Sequence, residues 1–443
     1  MASRMVNDTS APVDILAERI STRQAVVGVI GLGYVGLPLL LEKARAGFRV
    51  LGFDRNVERV ALVNARKSYI DDITNSELEE LGEGRIGATT DFDALEGVDV
   101  VVICVPTPLD EHLAPDLQYV CRVGEEIAKR LRKGQLVSLE STTYPGTTDE
   151  VLRPILERSG LRVGEDIFLA HSPERVDPGN KTFNTKNTSK VVGASDQASA
   201  KVATQFYRQT IERVVVVESA KAAEMVKVYE NTFRAVNIAL ANEMALLCDR
   251  MGLNVWDVLD AAFTKPFGIM PFYPGPGVGG HCIPIDPHYL EWKAKQYGFN
   301  TRFIALAGET NRNMPEYVLD RAARMLNASA LPVRGARVLL IGLSYKPDVS
   351  DTRESPALEV FSKLVERGAL VSYHDPFVPT HIHHGVSYES VSLDPKTVAE
   401  YDLVMITTAH SSVNYASLVA AAKRLFDTRN ATRDLRAANV EVL

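Results

Sequence analysis

The sequence has little cysteine: four residues in a chain of 443, without regular spacing. That scarcity excludes a small disulfide framework and favours the reducing cytoplasm. Apolar runs long enough to cross a membrane are missing too, and residues 1–24 carry charges without the apolar centre of a secretory signal. We therefore predict a cytoplasmic protein with no membrane partner, and we treat residues 1–24 as a leader without an assigned function.

A large excess of one sign of charge is also missing, because 49 basic residues stand against 56 acidic ones and leave a net charge of -7. This balance argues against nucleic acid as a partner, although a local cluster of Lys and Arg can still bind phosphate. The composition itself, 46% hydrophobic and 24% charged, is that of a globular protein. At roughly 150 residues per domain, the length predicts about three structural units.

The first motif is the run AVVGVIGLGYVGLPLLLEKARAGFRVLGFD, which predicts a strand, a glycine turn, a helix and a second strand. Gly31, Gly33 and Gly36 have the G-x-G-x-x-G spacing, which permits a tight turn, an approach of the backbone to a pyrophosphate and close packing of helix on strand. Asp54 ends the second strand, where a carboxylate binds the ribose hydroxyls and repels a 2′-phosphate. This context predicts a Rossmann-like unit that binds NAD rather than NADP.

Later strand patterns in the same unit end in polar or proline-rich loops at residues 106–108, 141–143 and 172–175. The carboxyl ends of the strands in a doubly wound sheet line one crevice, so we expect these loops to converge at the dinucleotide. For any single loop, an ordinary surface turn is the alternative interpretation.

A long helical pattern runs from Ser219 to Met251 and carries apolar residues on more than one face. Such a helix suits a spine between two domains or a surface shared with a second subunit. Lys227 and Asn231 are four residues apart and therefore point the same way. They form either a functional pair or part of a solvated face.

A second Rossmann-like half begins near Leu331 and repeats the order strand, loop, helix and strand as far as Asp375. Its first loop, GLSYKPDVSDTRESP, lacks the glycine spacing, so we expect it to bind something other than a second dinucleotide. Lys346 and Arg353 in that loop could bind phosphates. The histidines of residues 381–385 are predicted to be surface residues, because a zinc site needs separated pairs of ligands.

The predicted fold class is α/β, with two Rossmann-like doubly wound domains joined by a long central helix and a helical middle domain. We predict the leader at residues 1–24, a dinucleotide-binding domain at 25–215, a helical middle domain at 216–330, and a second Rossmann-like domain at 331–443.

One cysteine differs from the others in its surroundings. Cys282 lies in YPGPGVGGHCIPIDP, a segment whose glycines let the backbone approach a ligand and whose prolines stiffen the chain. Cys104, Cys121 and Cys248 lie instead in apolar strand or helix patterns, where cysteine behaves as a small hydrophobic residue. Because reactive thiols need partial exposure and polar neighbours, we interpret Cys282 as a nucleophile.

In this order the motifs GLGYVG, VPTP, STTYPGTT, SPERVDPG, E-x-x-K-x-x-x-N, PGPGVGGHCIPIDP and K-x-x-x-x-D-T-R-E-S-P resemble the UDP-glucose/GDP-mannose dehydrogenase family over nearly the whole chain. The segment around the cysteine most resembles the branch that oxidises UDP-N-acetylhexosamines, particularly UDP-N-acetylglucosamine. UDP-N-acetylmannosamine and UDP-glucose remain alternatives, although Ile285 departs from the Lys that many UDP-glucose dehydrogenases carry before the loop aspartate.

The resemblance implies oxidation of the sugar C6 alcohol to a carboxylate, with two NAD reduced in succession. Cys282 would capture the aldehyde as a thiohemiacetal, and a thioester would follow and be hydrolysed. Lys227 would stabilise the developing oxyanion and Asn231 would orient the reacting oxygen. Asp286 would hold a water or act as a base, Glu174 would assist hydrolysis, and Thr143 would lie near the same water.

The resemblance also implies the two ligand sites and a homodimer formed through the central helix. Around NAD it places Gly31, Leu32, Gly33, Tyr34, Val35, Gly36, Asp54, Arg59, Pro106, Thr107, Thr143 and Arg353. Around the UDP-sugar it places Glu174, Arg175, Lys227, Asn231, Tyr273, Gly277, Gly279, Lys346 and Arg429. No metal is implied.

Two other functions share parts of this pattern. A simpler NAD enzyme such as a β-hydroxyacid dehydrogenase has a similar first unit and helical Lys and Asn, but it needs neither Cys282 nor the last domain. A catalytically inactive nucleotide-sugar sensor would bind the same ligands. Competent side chains at Lys227, Asn231, Cys282 and Asp286 argue against the sensor.

Overall fold

The computed structural model describes residues 11–70, 73–82, 84–175, 182–280, 282–435 and 437–443. These residues form two compact units. The first comprises the chain up to Glu230 together with Trp292–Tyr297, and the second comprises Asn231–Glu291 and Gly298–Leu443. Each unit contains a mainly parallel sheet with helices, which confirms the predicted α/β class with two Rossmann-like halves.

The first unit is built on an eight-stranded sheet in the order β3-β2-β1-β4-β5-β6-β7-β8. The strands are β1 (Val26–Ile30), β2 (Arg49–Phe53), β3 (Ile86–Thr89), β4 (Val100–Ile103), β5 (Leu136–Leu139), β6 (Phe168–His171), β7 (Lys190–Ala194) and β8 (Val214–Val216). β1 to β6 are parallel, whereas β7 pairs antiparallel with β6. The strand order reverses at β1, so a crevice is expected beyond the carboxyl ends of β1 and β4.

Helices cover this sheet and include part of the segment treated as a leader. They are α1 (Pro12–Ser21), α2 (Gly36–Arg45), α3 (Val57–Asn64), α4 (Asn75–Glu79), α5 (Gln118–Ala128), α6 (Arg153–Glu157) and α7 (Gln197–Arg208), with a 3-10 turn at Phe92–Gly97 and a π turn at Thr148–Leu152. Leu16 and Ile20 of α1 are buried in the core of the unit, and Arg19 pairs with Asp99 at 2.8 Å. Residues 12–21 are therefore an integral helix of the first unit.

The central segment consists of four helices: α8 (Ala220–Met251), α9 (Val255–Phe263), α10 (Cys282–Lys295) and α11 (Arg302–Asn327). α8 matches the long helix predicted from the sequence. It ends before Gly252, whose φ of +68° is the left-handed conformation that commonly follows a helix. The boundary between the two compact units falls within α8, and the division at residues 24, 215 and 330 stays a prediction.

The second unit contains a five-stranded parallel sheet in the order β10-β9-β13-β14-β15. Its strands are β9 (Arg337–Ile341), β10 (Leu370–His374), β13 (Leu403–Ile406), β14 (Leu425–Asp427) and β15 (Val440–Val442). A separate hairpin pairs β11 (Thr380–His383) with β12 (Val386–Glu389), and the remaining helices are α12 (Pro356–Glu366), α13 (Pro395–Ala399) and α14 (Tyr415–Ala421).

The histidine cluster lies on this hairpin rather than in a loop. His381 and His383 alternate along β11, and their rings pack edge-on against Phe361 at 5.3 and 5.6 Å. His381 and His383 are half-buried rather than simply surface residues, whereas His384 is exposed as predicted. Among the described residues, no group of three or more His, Cys, Asp or Glu is arranged to hold a metal ion. Across the same part of the chain, no helix has the length and apolarity that crossing a bilayer requires.

Candidate active site

The glycine turn of the first unit has the geometry of a pyrophosphate cradle. Gly31 has a φ of +92°, and a Cβ there would lie 2.5 Å from the Cys104 carbonyl oxygen. Gly36 opens α2, and a Cβ on it would collide with the Gly31 carbonyl. Apart from its chain neighbours, no described residue has an atom within 4 Å of the Cβ position of Gly33, so ligand atoms could approach the backbone there. These residues therefore fit a dinucleotide at the start of α2.

The rest of the turn is held by the acidic residue after β2. An oxygen of Asp54 accepts a hydrogen bond from the Leu32 amide at 2.9 Å, and Arg59 lies 3.7 Å from the same oxygen. Leu32 is buried, whereas Tyr34 is exposed. Asp54 is thus placed beside the turn, as expected for a residue that contacts a ribose.

The loops after β4 and β5 contact each other in the first unit. The Thr107 hydroxyl donates to the Thr142 carbonyl at 2.7 Å, while Ser141 donates to the Val105 carbonyl at 2.7 Å. Thr143 is 1% exposed, and its hydroxyl oxygen has no hydrogen-bond partner among the described residues. Its loop is therefore linked to the exposed Pro106 and to Thr107, as the doubly wound order predicts.

Glu174 and Arg175, at the end of the third loop, are both held by neighbours in the first unit. One oxygen of Glu174 lies 3.1 Å from the Lys190 Nζ, and the other accepts the Arg175 amide at 2.7 Å. The Arg175 guanidinium contacts Glu230 at 2.5 Å and the Ser189 carbonyl at 2.5 Å. The predicted sugar ligand Arg175 is thus engaged in an internal ion pair.

The central helix contributes two buried polar side chains to the predicted chemistry. Lys227 is 8% exposed and Asn231 is 1% exposed, so the alternative of a solvated face is wrong. In the second unit, the Asn231 amide donates to a carboxylate oxygen of Asp286, and Arg234 donates to the other end of the same amide. Asp286 is itself 3% exposed. Asp286, the carboxylate of the cysteine segment, is therefore held by the amide of Asn231, which the sequence predicts to be a site residue.

Cys282 is the first residue of α10 and is half-buried. Its segment was interpreted as a stiff loop, but the helix begins at the cysteine and includes Pro284, because a proline in the first turn removes no helical hydrogen bond. Asp286 lies one turn later on the same helix face. The positive end of a helix stabilises a thiolate, so this position favours a nucleophile.

The other cysteines have a different character. Cys121 lies in α5 and Cys248 is buried in α8, while Cys104 directly follows β4. Burial raises the pKa of the Cys104 thiol well above its ordinary value and also raises the pKa of the Cys121 thiol. Both thiols are therefore disfavoured as nucleophiles, which agrees with their structural interpretation.

The glycines before Cys282 pack against protein groups of the second unit. A Cβ on Gly275 would lie 2.5 Å from the Arg429 guanidinium, and a Cβ on Gly279 would lie 2.7 Å from the Tyr345 side chain. Gly277 has a φ of +134°, with Pro356 2.9 Å from its Cβ position. The glycines thus seat this segment on its own unit, in addition to any role of their amides in binding ligand.

The remaining predicted phosphate and sugar ligands lie in the second unit but have separate environments. Arg353 is exposed and pairs with Asp351 at 2.6 Å, and Lys346 is half-buried. Burial lowers the pKa of Arg429 to about 10, and its Nε donates to the Thr407 carbonyl at 2.9 Å. The Tyr273 hydroxyl donates to Asp260 at 2.7 Å.

Sequence reasoning missed a buried ionic cluster under the third loop. It comprises Lys190 at the start of β7, Glu140 directly after β5, and Tyr207 of α7. One signal could have indicated this cluster: a charged residue at one end of a mainly apolar strand pattern. Glu140 ends the run QLVSLE, and Lys190 begins the run KVVGA. Glu224 was also missed, although it begins the quoted E-x-x-K-x-x-x-N motif.

Comparison with known proteins gives a match in three consecutive parts. The UDP-glucose/GDP-mannose dehydrogenase family is matched by its NAD binding domain over residues 25–211, by its central domain over residues 221–313 and by its UDP binding domain over residues 339–434.

Individual relatives cover most of the chain. The sequence is 38% identical over 389 residues to UDP-N-acetyl-D-glucosamine 6-dehydrogenase of Pseudomonas aeruginosa, covering 87% of this chain and 90% of that protein. It is 35% identical over 415 residues to UDP-N-acetyl-D-mannosamine dehydrogenase of Pyrococcus horikoshii, with 92% and 96% covered. The solved structure of UDP-D-ManNAc dehydrogenase from Pyrococcus horikoshii superposes with a TM-score of 0.86 at 33% identity, covering 94% of this chain and 98% of that one.

Proposed function

Because the chain belongs to the UDP-glucose/GDP-mannose dehydrogenase family, we propose that it oxidises the C6 hydroxymethyl group of UDP-N-acetylglucosamine to the uronic acid. Its activity is that of an NAD-dependent UDP-sugar 6-dehydrogenase. To this activity we add the identity of the sugar, its oxidation by four electrons to the acid, and the residues that carry out the reaction.

The observation that carries the proposal is the position of Cys282. It opens α10, and one turn later Asp286 is fixed by the amide of Asn231. A single alcohol oxidation needs no nucleophile, whereas a thiol can retain an aldehyde for a second oxidation. A helix-terminal cysteine with a positioned carboxylate on the same face therefore supports oxidation to the acid level.

The glycine turn and Asp54 would hold NAD, which would supply the hydride acceptor for each of the two oxidations at C6. Between the two oxidations the Cys282 thiolate would add to the aldehyde carbon to form a C–S bond. The carbonyl oxygen would take up the proton that Asp286 accepted in the first oxidation and become the hydroxyl of a thiohemiacetal. The second oxidation leaves a thioester. Water then forms the new C–O bond, the C–S bond breaks, and the uronate and thiol are released.

The buried polar groups have roles that follow from their charge. The Lys227 ammonium would stabilise negative charge on the C6 oxygen, and Asn231 would orient that oxygen through its amide. Asp286 would accept the proton of the C6 hydroxyl or hold the reacting water, with Thr143 near the same water. Glu174 would take a proton from the water during hydrolysis.

The relatives named above support a UDP-N-acetylhexosamine as the sugar. The relative from Pseudomonas aeruginosa, at 38% identity, acts on UDP-N-acetyl-D-glucosamine, and the one from Pyrococcus horikoshii, at 35%, on UDP-N-acetyl-D-mannosamine. UDP-N-acetylmannosamine is therefore the second candidate. UDP-glucose ranks below both because of Ile285.

The function is tested by measuring NADH formed per sugar consumed with NAD in excess. The panel comprises UDP-N-acetylglucosamine, UDP-N-acetylmannosamine, UDP-N-acetylgalactosamine, UDP-glucose and GDP-mannose. We expect about two NADH per sugar and the highest kcat/KM with UDP-N-acetylglucosamine, since each oxidation transfers one hydride. One NADH per sugar would contradict the thioester route, and none from any sugar would favour the sensor.

Replacing the nucleophile provides the sharpest test of the covalent route. In Cys282→Ser we expect completed turnover to fall by at least about a thousandfold, because serine cannot reproduce the thiolate and thioester chemistry. At most a slow oxidation to the aldehyde level should remain. Cys121→Ser is the matched control and should retain two NADH per sugar. Full two-step activity in Cys282→Ser would show that no covalent intermediate is needed.

A homodimer through α8 is also part of this proposal. Phe233, Leu240 and Leu247 are spaced seven residues apart and are 38%, 57% and 47% exposed. A stripe at heptad spacing on one helix face is suited to packing against an identical helix. A second copy of the chain is therefore the proposed occupant. The cytoplasm stays the predicted compartment.

A further inference from the structure

A buried ammonium joins two carboxylates beneath the third strand-end loop of the first unit. Lys190, which is 3% exposed, has its Nζ 2.5 Å from one oxygen of Glu140 and 3.1 Å from one oxygen of Glu174. Glu140 is 1% exposed, and its other oxygen accepts the Tyr207 hydroxyl at 2.7 Å. The Tyr207 hydroxyl is 2.8 Å from the Ser138 hydroxyl. The loop carboxylate is thus connected to a buried chain of polar groups.

We propose that Lys190 is a positioning residue for hydrolysis of the Cys282 thioester, holding the Glu174 carboxylate ionised and oriented while Glu140 keeps Lys190 in place. This inference rests on the proposed function, in which Glu174 takes the proton of the attacking water. As the C–O bond forms, that proton passes to Glu174. As the C–S bond breaks, it passes to the Cys282 thiolate, and the new carboxylic acid releases its own proton to solvent.

The charges of the cluster explain why a cation is needed at this point. Burial lowers the pKa of Lys190, but the nearby Glu140 and Glu174 outweigh burial, so the pKa is raised above the ordinary value for lysine. Burial raises the pKa of Glu140 above its ordinary value, and the contacts with Lys190 and the Tyr207 hydroxyl offset only part of that rise. With these contacts at 2.5 and 2.7 Å, we take the Glu140–Lys190 pair to be ionised.

Without the ammonium, the Glu174 carboxylate would lose the cation that lies 3.1 Å from its oxygen. Loss of a nearby opposite charge favours the protonated form of a partly buried carboxylic acid, and a protonated Glu174 cannot accept the proton of water. The charged and titratable groups around the Glu174 loop come from several elements: Lys43 of α2, Cys104 after β4, Glu140 after β5, Lys190 of β7, and Arg175 with its partner Glu230 of α8.

The backbone around Lys190 also holds the loop, so a merely structural role has to be separated from a chemical one. Ser172 donates to the Val191 carbonyl at 2.8 Å, and Arg175 donates to the Ser189 carbonyl at 2.5 Å. These bonds use backbone groups on either side of residue 190. Substituting the Lys190 side chain therefore leaves them available while removing the ammonium.

The test uses the paired variant Lys190→Met/Glu140→Gln. Lys190→Met alone would leave Glu140 buried without a cation and could unfold the protein. The added Glu140→Gln change removes that charge and keeps an acceptor for the Tyr207 hydroxyl. Lys190→Arg is the conservative variant that retains a cation, and thermal unfolding verifies that each variant is folded.

Three measurements are made on full-length enzyme with NAD and the preferred UDP-sugar: kcat against pH, the pre-steady-state burst of NADH, and the intact mass of quenched protein. In the paired variant we expect the acid limb of kcat to move up by about 1 pH unit or more. We also expect hydrolysis to slow at least about tenfold, so that a burst of two NADH precedes slow turnover and an acyl adduct accumulates on Cys282. Lys190→Arg should recover most of the rate and the pH profile.

The outcomes separate this inference from the proposed function. If the wild-type enzyme forms two NADH per sugar but the folded paired variant keeps its pH profile without an adduct, Lys190 is only structural and the inference is overturned. It is equally overturned if Lys190→Arg behaves like the paired variant. If the wild-type enzyme forms no second NADH, the proposed function fails, and the role of Lys190 in thioester hydrolysis fails with it.

Discussion

Asp54 is expected to determine which dinucleotide the first unit accepts. Its carboxylate lies beside the glycine turn, where it receives the Leu32 amide at 2.9 Å. Asp54→Asn keeps the shape but removes the negative charge that binds ribose hydroxyls and repels a 2′-phosphate. The ratio of kcat/KM for NAD to that for NADP should fall about tenfold or more, since a hydrogen bond to a charged group contributes about 1.5–3 kcal/mol. The matched control is Glu58→Gln, an exposed change on α3 that should leave the ratio unaltered.

Lys43 is a fully buried lysine that the proposed chemistry does not use. Its Nζ donates to the Thr210 hydroxyl at 2.7 Å and lies 3.8 Å from the centre of the Phe206 ring. Burial lowers its pKa to about 7, from an ordinary value of 10.5. Between these values the folded protein binds fewer protons than the unfolded chain, so the contribution of Lys43 to the free energy of unfolding rises with pH.

Lys43→Met should therefore stabilise the protein at pH 7, by about 1–3 kcal/mol, because a buried ammonium is replaced by an apolar side chain of similar length. The gain should shrink as the pH rises from 7 towards 10.5. Urea unfolding of both proteins at several pH values measures this, with Lys129→Met on the exposed end of α5 as the control. A gain that does not change with pH would show that the effect is packing rather than titration.

At the scale of elements, α8 anchors the loop that carries Thr143. Glu224 of α8 is 1% exposed and accepts the Gly146 amide at 2.5 Å and the Thr148 amide at 2.8 Å. Glu224→Ala would leave two buried amides without acceptors, at about 1–3 kcal/mol each. We expect a clear loss of stability in urea and a lower kcat. Glu243→Ala, an exposed change on the same helix, should have little effect, and equal stability of the two variants would contradict the anchoring role.

How far the sequence predicts an element depends on whether its signal is local. α8 was predicted because its unbroken helical pattern is contained in one stretch of chain. α10 was not, since Pro284 and Pro287 suggested a loop. Pro284 lies in the first turn, where the helix loses no hydrogen bond, and the helix continues through Pro287 without the hydrogen bond that its missing N–H would make. The contact between Lys190 and Glu140 joins residues 50 apart, and it exists because β5 and β7 both border β6. No periodicity or spacing in the sequence carries that information.

At the scale of the whole molecule, membership of the family explains the order of the three domains along the chain. The side chains of each unit explain what that unit contributes. The first sheet supplies a glycine turn and an acid for a dinucleotide, and the cysteine helix supplies a nucleophile with a fixed carboxylate. The second sheet uses Asp375, the equivalent acid after β10, differently. Asp375 accepts the amides of Leu343 and Ser344 at 2.7 and 3.0 Å and contacts His410 at 3.1 Å. Asp54 also accepts an amide of its own turn, but the Asp375 side chain is in addition fully buried against His410, which agrees with a different ligand in that half.

The proposed dimer is tested on the apolar stripe of α8. Leu240 is its central residue, 57% exposed, and in a packed interface Leu240→Glu would bury a charge without a partner. We expect the dissociation constant of the dimer to rise at least about 100-fold, equivalent to about 2.7 kcal/mol, as measured by sedimentation across a range of concentrations. Leu370→Glu is the control, because Leu370 is similarly exposed, at 61%, but belongs to β10 and not to α8. An unchanged dimer in Leu240→Glu would place the subunit contact elsewhere, and a wild-type monomer would show that the stripe does not bind a second copy of the chain.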